Sequence, residues 1–356
     1  MTSPTHSIAA YDFDLPRERI AQEPLADRSA SRLLVLDRAG GSPRHHAFRD
    51  LAGLLTPGDL LVLNRSRVLA ARLLGRRSGG GEAEILLLRR CAPGLWDAML
   101  RPGRRLRPGA VVDVAPGFQV RIEDGVRAGA GGESPSGPQR RVRLLVDGPD
   151  PDAALERHGH VPLPPYIRRP DTPADRDRYQ TVYARETGSV AAPTAGLHFT
   201  PSLLQSLAAR GISTAELVLH VGPGTFRPVE VDDVRDHRVD PEAYTIPLDT
   251  AAAVDRARRE GRRVVAVGTT TTRTLESALA PDGTLRPGDG ETGLVITPGY
   301  RFRVVDGLLT NFHLPRSSLL LLVSAFAGRE RILAAYAEAI RCRYRFYSYG
   351  DATLLL

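Results

Sequence analysis

Two short stretches carry the residue types that proton transfer needs. "SVAAPTAGLHFT" (189–200) and "LHVGPGTFRPV" (219–229) each set a histidine among Gly, Pro and Thr. Imidazole is the side chain that titrates nearest neutrality, so His198 and His220 are the candidate proton donors and acceptors. "VGTTTTRTLE" (267–276) and "TNFHLPRSSLL" (310–320) read as strands turning into helices, as does the end of the first stretch at Thr200. Such turns present unpaired backbone N–H groups at the ligand-bearing edge of an α/β sheet. Thr194, Thr269, Thr270, Thr271, Asn311 and His313 are therefore candidate substrate-binding residues. The competing reading makes these Thr and Ser residues plain helix caps. The 267–276 run lacks the glycine spacing and the lysine of a phosphate-binding P-loop. The histidine spacings 198/220 and 237/313 match no compact ligand motif, so no metal is expected.

Phosphate-facing candidates come from a second pattern. "PPYIRR" (164–169) and "DRDRYQTVYA" (175–184) interleave aromatic rings with arginines. Rings that stack on a base beside guanidinium groups that hold flanking phosphates would suit RNA. Arg168, Arg169 and Tyr179 are candidates on that reading, and Arg316 joins them; a solvated charged linker is the alternative. "RCRYRFYSYGDATLLL" (341–356) alternates like a strand, which would put Arg341, Arg343 and Arg345 on one face.

All 48 cationic residues are arginine, only Asn64 and Asn311 are asparagine, and the net charge is +7. A GC-rich genome accounts for much of this bias. Its chemical consequence is that no lysine Schiff base can form, which excludes a pyridoxal phosphate aldimine. Guanidinium forks suit phosphate backbones. Two cysteines make neither a disulfide framework nor a thiolate cluster. No stretch approaches a membrane span and no secretory leader is apparent, so the expectation is a cytoplasmic protein without a membrane partner.

These residues need a scaffold. "ASRLLVL" (30–36) and "DLLVL" (59–63) read as buried strands around a short helix. Short runs separated by Gly/Pro turns predict a small antiparallel barrel over 70–148, with a mobile Gly/Ser-rich loop at 127–140. Beyond it, helix and strand alternate: helices at 201–210 (Thr200 as cap, Pro201 at the first position), 249–260 and "TTRTLESALA", and strands at "ISTAELVLHVG", "RRVVAVG" and "GLVITPGY". The prediction is α/β: a large discontinuous domain (1–69 and 149–356) with the barrel (70–148) inserted.

The chain resembles the S-adenosylmethionine:tRNA ribosyltransferase-isomerases of queuosine biosynthesis over nearly its whole length. The likeness rests on "IAQEPLADRSASRLLVL", "GDLLVLNRSRVLAARL", "YQTVYARETGSVAAPTAGLHFT", "LHVGPGTFRPV", "ITPGYRFRVVDGLLTNFHLPRS" and "YRFYSYGDA". It implies transfer and isomerisation of the ribosyl part of S-adenosylmethionine onto 7-aminomethyl-7-deazaguanine at the wobble position of tRNA. Epoxyqueuosine-tRNA, adenine and methionine would be the products, with no cofactor beyond the consumed donor. His198 and His220 would share the proton transfers, and Asp59, Asn64 and Arg67 would orient the nucleoside. The tRNA contacts would be Arg168, Arg169, Tyr179, Arg316 and Arg343. A monomer is expected. Two positions depart from the family pattern: Arg65 stands where aspartate is usual after Asn64, and Asp240–Pro241 replaces His–Ser between His237 and Glu242. A related transferase with another acceptor, or a non-catalytic RNA-binding protein on the same scaffold, is the competing reading.

Overall fold

The computed structural model describes residues 6–124, 139–222 and 228–356. The N-terminal segment forms β1 (Arg32–Leu36), β2 (Arg44–Ala47), the single turn α1 (Leu51–Leu54), β3 (Leu60–Asn64) and β4 (Ser66–Val68). Six strands follow: β5 (Arg72–Arg77), β6 (Glu82–Ala92), β7 (Leu95–Arg101), β8 (Val111–Ala115), β9 (Phe118–Glu123) and β10 (Gln139–Val146). The remainder holds α2 (Pro151–His158), α3 (Asp175–Arg178), β11 (Glu186–Ser189), α4 (Pro201–Ala209), β12 (Ser213–Leu219) and β13 (Glu242–Ile246). After these come α5 (Leu248–Arg259), β14 (Val264–Val267), α6 (Thr269–Ser277), β15 (Gly288–Thr292), β16 (Gly307–Asn311), α7 (Ser318–Ala327), α8 (Arg329–Arg341) and β17 (Ala352–Leu355).

Nine strands make one mixed sheet in the order β15–β13–β12–β3–β14–β16–β17–β1–β2. Its centre is parallel: β3 pairs with both β12 and β14, and β14 with β16. Parallel strands are covered on both faces, so β3, β14 and β16 are unbroken buried runs rather than alternating ones. Period two divides them between two cores. Leu60, Val62, Val264, Ala266 and Leu308 pack with Val254, Leu275, Leu320 and Leu321 on one face. Leu61, Leu63, Val265, Val267 and Leu309 pack with Phe48, Phe199, Leu203 and Leu207 on the other.

β5 to β10 close into an antiparallel barrel. β9 shows why, since Phe118, Val120 and Ile122 turn inward while Gln119 and Arg121 face out. The molecule is thus a large mixed α/β domain with a closed antiparallel barrel inserted. The loop expected to be mobile falls almost wholly outside the described residues.

Two expected strands are not strands. "GLVITPGY" runs as a loop that drops Ile296 into the core, and the edge strand is instead the polar β15 just before it. β15 pairs antiparallel with β13, with Gly290 opposite Tyr244; a Cβ there would fall 2.5 Å from the tyrosine ring. "RCRYRFYSYG" continues from α8 into turns, with Arg343 at φ 57° and Tyr347 at φ 76°. Two left-handed residues break the alternation, so Arg341, Arg343 and Arg345 share no strand face.

Candidate active site

A cleft of about 810 Å³ lies between the barrel and the large domain. The barrel contributes Leu88, Arg89, Trp96, Asp97 and Gln139; the large domain contributes Arg67, Gly188, His220, Asp240, Glu242 and Arg273. His220 follows β12 directly, and two buried polar side chains fix its neighbours. Asn64, at the end of β3, accepts from the Leu219 and Ser66 amides (3.1 and 3.0 Å) and donates to the Leu219 carbonyl at 3.0 Å. Ser189 Oγ accepts from the Val221 amide at 2.9 Å. The backbone on both sides of His220 is therefore anchored, which fixes where its ring stands.

The ring itself lies on Gly188. A Cβ there would come within 2.7 Å of the imidazole, so only glycine leaves room. Among the described residues His220 Nδ1 is buried without a hydrogen-bond partner. Burial pushes its pKa below the ordinary value while Glu186 opposes the shift, so the ring is neutral at pH 7 and able to take a proton. Beneath it, Glu242 and Arg273 form a buried ion pair at 2.5 Å. Glu242 also accepts from the Gly222 amide at 2.9 Å, and Arg273 donates to the Leu294 and Thr292 carbonyls.

A smaller pocket of about 40 Å³ adjoins the cleft, and Leu319 lines both. Thr194, Thr269, Thr270, Asn311 and His313 face it. Thr271 does not; its hydroxyl donates back to the Val267 carbonyl at 2.8 Å. His198 lines neither cavity. It stacks on Phe48 (ring centroids 4.8 Å apart) with Nε2 3.3 Å from Asn311 Nδ2. Burial and the charges of Arg345 and Arg28 push its pKa down to about 3. Burial does the same to His313, whose Nε2 lies 3.2 Å from the Thr310 hydroxyl.

The remaining expected residues scatter. Asp59 sits at the opposite end of β3 from Asn64, clamped by Arg263 at 2.6 Å and by the Thr56 amide; it belongs to the far edge of the sheet. Arg67 is on the cleft rim, 3.7 Å from Glu156. Arg168, Arg316 and Arg343 are exposed. Tyr179 is wholly buried, edge-on to Tyr349 at 5.8 Å, so its ring offers no face to a base. Arg169 holds buried Asp175 through both nitrogens, at 2.7 and 2.8 Å.

The aromatic–arginine stretches thus build structure rather than a stacking surface. Arg178 donates to the Leu25 and Ala26 carbonyls, Arg176 to Glu156 and Gly159, and Arg28 to Asp177, Gln180 and Leu197. In chain with little regular structure, the guanidinium forks satisfy carbonyls that no strand partner reaches.

Of the two unusual positions, Arg65 is absorbed by Glu186 (3.3 Å) and Glu216 (3.7 Å), whereas Asp240 lines the cleft. The sequence reading did not single out Trp96, Asp97 or Arg273 for the site. Only their place with His220 in the lining of one cleft marks them. Among the described residues, His45, Glu338 and Cys342 bring three donor atoms within 4.8 Å of one another, but Arg341 already occupies the Glu338 carboxylate at 2.7 Å.

Comparison with known proteins matches this architecture to one family. The model for "Queuosine biosynthesis protein" covers residues 8–355. S-adenosylmethionine:tRNA ribosyltransferase-isomerase from Rhodospirillum rubrum is 53% identical over 98% of this chain and 97% of its own length. Its counterpart from Heliobacterium modesticaldum is 50% identical over 98% and 99%. The crystal structure of S-adenosylmethionine tRNA ribosyltransferase from Thermotoga maritima aligns with TM-score 0.55 and 36% identity, covering 98% of this chain and all of that one. The chain belongs to the queuosine biosynthesis protein family and is an enzyme of the S-adenosylmethionine:tRNA ribosyltransferase-isomerase type.

Proposed function

We propose that the acceptor on the tRNA wobble base is 7-aminomethyl-7-deazaguanine, and that His220 is the group that moves the proton. The enzyme transfers and isomerises the ribosyl group of S-adenosylmethionine onto that tRNA position. In this reading the sulfonium acidifies the neighbouring C5′ hydrogen and His220 takes it. The acceptor's own amine is the nucleophile, adenine and methionine leave, and no covalent enzyme intermediate is required. The observation that carries the assignment is the neutral, anchored imidazole of His220 in the lining of an interdomain cleft.

His198, by contrast, acts through Asn311 as a positioning group. Segments 1–69 and 149–356 supply the donor site, and 70–148 supplies the wall that meets the tRNA base. Arg67, Arg168, Arg316 and Arg343 are the candidate phosphate contacts, and the protein works as a cytoplasmic monomer.

Incubation with S-adenosylmethionine and tRNA carrying the aminomethyl base tests this reading. Mass analysis of the digested tRNA is expected to show the epoxycyclopentane nucleoside, with adenine and methionine released in equal amount. Donor consumption that occurs only with a different tRNA base would replace the acceptor. A folded protein that binds tRNA but never the donor would favour a non-catalytic role.

A further inference from the structure

We propose that the small pocket at the start of α6 is the seat of the α-amino-acid end of S-adenosylmethionine, with the ribosyl part projecting past Leu319 toward His220. This rests on the donor assignment above. Two independent features point to such a group. The first hydrogen bond at the start of α6 runs from the Thr272 amide to the Gly268 carbonyl. The amides of Thr269, Thr270 and Thr271 precede it and have no acceptor within the helix. Helix α6 is nine residues long, and its positive end favours a carboxylate.

The second feature is Asn311, which lines the pocket and is 3% exposed. Its Nδ2 donates to the Tyr347 carbonyl at 3.0 Å, which fixes the amide orientation and leaves Oδ1 as an acceptor. Among the described residues that oxygen is buried with no donor. An unpaired buried acceptor is costly until a donor arrives, and an ammonium group supplies one.

Charge and size narrow the choice. Among the described residues no ionised side chain lines the pocket, so a zwitterion with no net charge suits it better than a lone anion. A bare phosphate would satisfy the amides but leave Asn311 Oδ1 facing more negative charge. The free volume of about 40 Å³ restricts the occupant to a small terminal group and leaves no room for the ribosyl or adenine part of the donor. Gly268, at φ 96°, turns the chain so that Thr269 and Thr270 meet the pocket wall formed by Ala195.

The test is calorimetric binding to the full-length protein of three probes: S-adenosylmethionine, its decarboxylated form, and its deaminated form. Wild type is expected to bind the intact donor at least about tenfold more tightly than either analogue, the range for losing one charge-assisted hydrogen bond. Thr269→Val with Thr270→Val removes the two hydroxyls that line the pocket beside those amides, and is expected to weaken the intact donor while leaving the decarboxylated form unchanged. Asn311→Leu is expected to erase discrimination against the deaminated form. Equal affinity of wild type for the intact and decarboxylated donors overturns the proposal while the donor assignment stands. So does an equal loss for both in the double variant. A double variant that loses tRNA but keeps the donor would give the pocket to a phosphate. Failure of wild type to bind S-adenosylmethionine at all would overturn both the pocket assignment and the donor assignment.

Discussion

A histidine serves as a base only if it is neutral, placed and reachable, and the two candidate imidazoles divide on these points. Both are neutral, but His220 lines the cleft, whereas His198 lines no cavity and is sealed beneath Phe48. Replacing His220 by glutamine is expected to lower kcat by about a hundredfold or more, with donor affinity nearly unchanged by calorimetry. The pH–rate profile adds a sign. Burial lowers the His220 pKa from 6.5, so the active neutral form persists below that value. Activity then falls only as the pH drops further and the ring protonates, and that acid limb should vanish in the glutamine variant. His198→Gln should leave the limb in place, because a group with pKa about 3 does not titrate in the working range. A His198 variant that shifted the limb instead would reverse the two roles. Both histidines were legible as candidates because imidazoles set among Gly, Pro and Thr are chemically conspicuous. Their different exposure was not, since the burial of His198 under Phe48 depends on a contact between residues far apart in sequence.

Elements with strong local rules matched the sequence reading. Thr200 accepts from the Leu203 amide and Pro201 opens α4, as the cap signal requires. Thr200→Ala is expected to cost about 1 kcal/mol of stability in urea unfolding. β1, β3, β12 and β14 were readable as short aliphatic runs. β15 was not, because a Gly/Asp/Glu strand is held by its five-residue pairing with β13 rather than by a pattern of its own. The aromatic–arginine stretches misled for a related reason: composition cannot distinguish an arginine facing phosphate from one facing carbonyls. Asp175, the first residue of α3, gives a direct measure of that second role. Burial raises its carboxyl, but the Arg169 fork, the Thr172 amide and hydroxyl, and the Tyr349 hydroxyl outweigh this and hold it well below 3.8. The unfolded chain therefore takes up the proton first as acid is added. The stabilisation is complete above about pH 5 and lost as the pH falls below about 4. Urea midpoints measured between pH 3 and 7 should fall steeply at the acid end in the native protein and less so in Asp175→Asn. Arg169→Ala, which strands a buried carboxylate, should cost about 3–5 kcal/mol.

At the scale of the whole molecule, the cleft depends on the barrel staying docked. Arg90 on β6 meets Asp152 on α2 at 2.8 Å across that boundary. The pair is half exposed, so a charge reversal at Arg90 is expected to cost at most about 1 kcal/mol of stability. Any larger effect should appear in tRNA affinity. Light scattering after size exclusion should return a mass near 38.6 kDa, and twice that value would replace the monomer. The place of β17 has its own consequence. It lies between β16 and β1, and β1 and β2 join the rest of the sheet only through it. A ribosome makes β1 and β2 before β17, with the other six strands of the sheet in between. This part of the sheet must therefore wait until those six strands have been made for the four-residue strand that docks it. Until then its aliphatic edge needs shelter, from a chaperone or from the nascent chain itself.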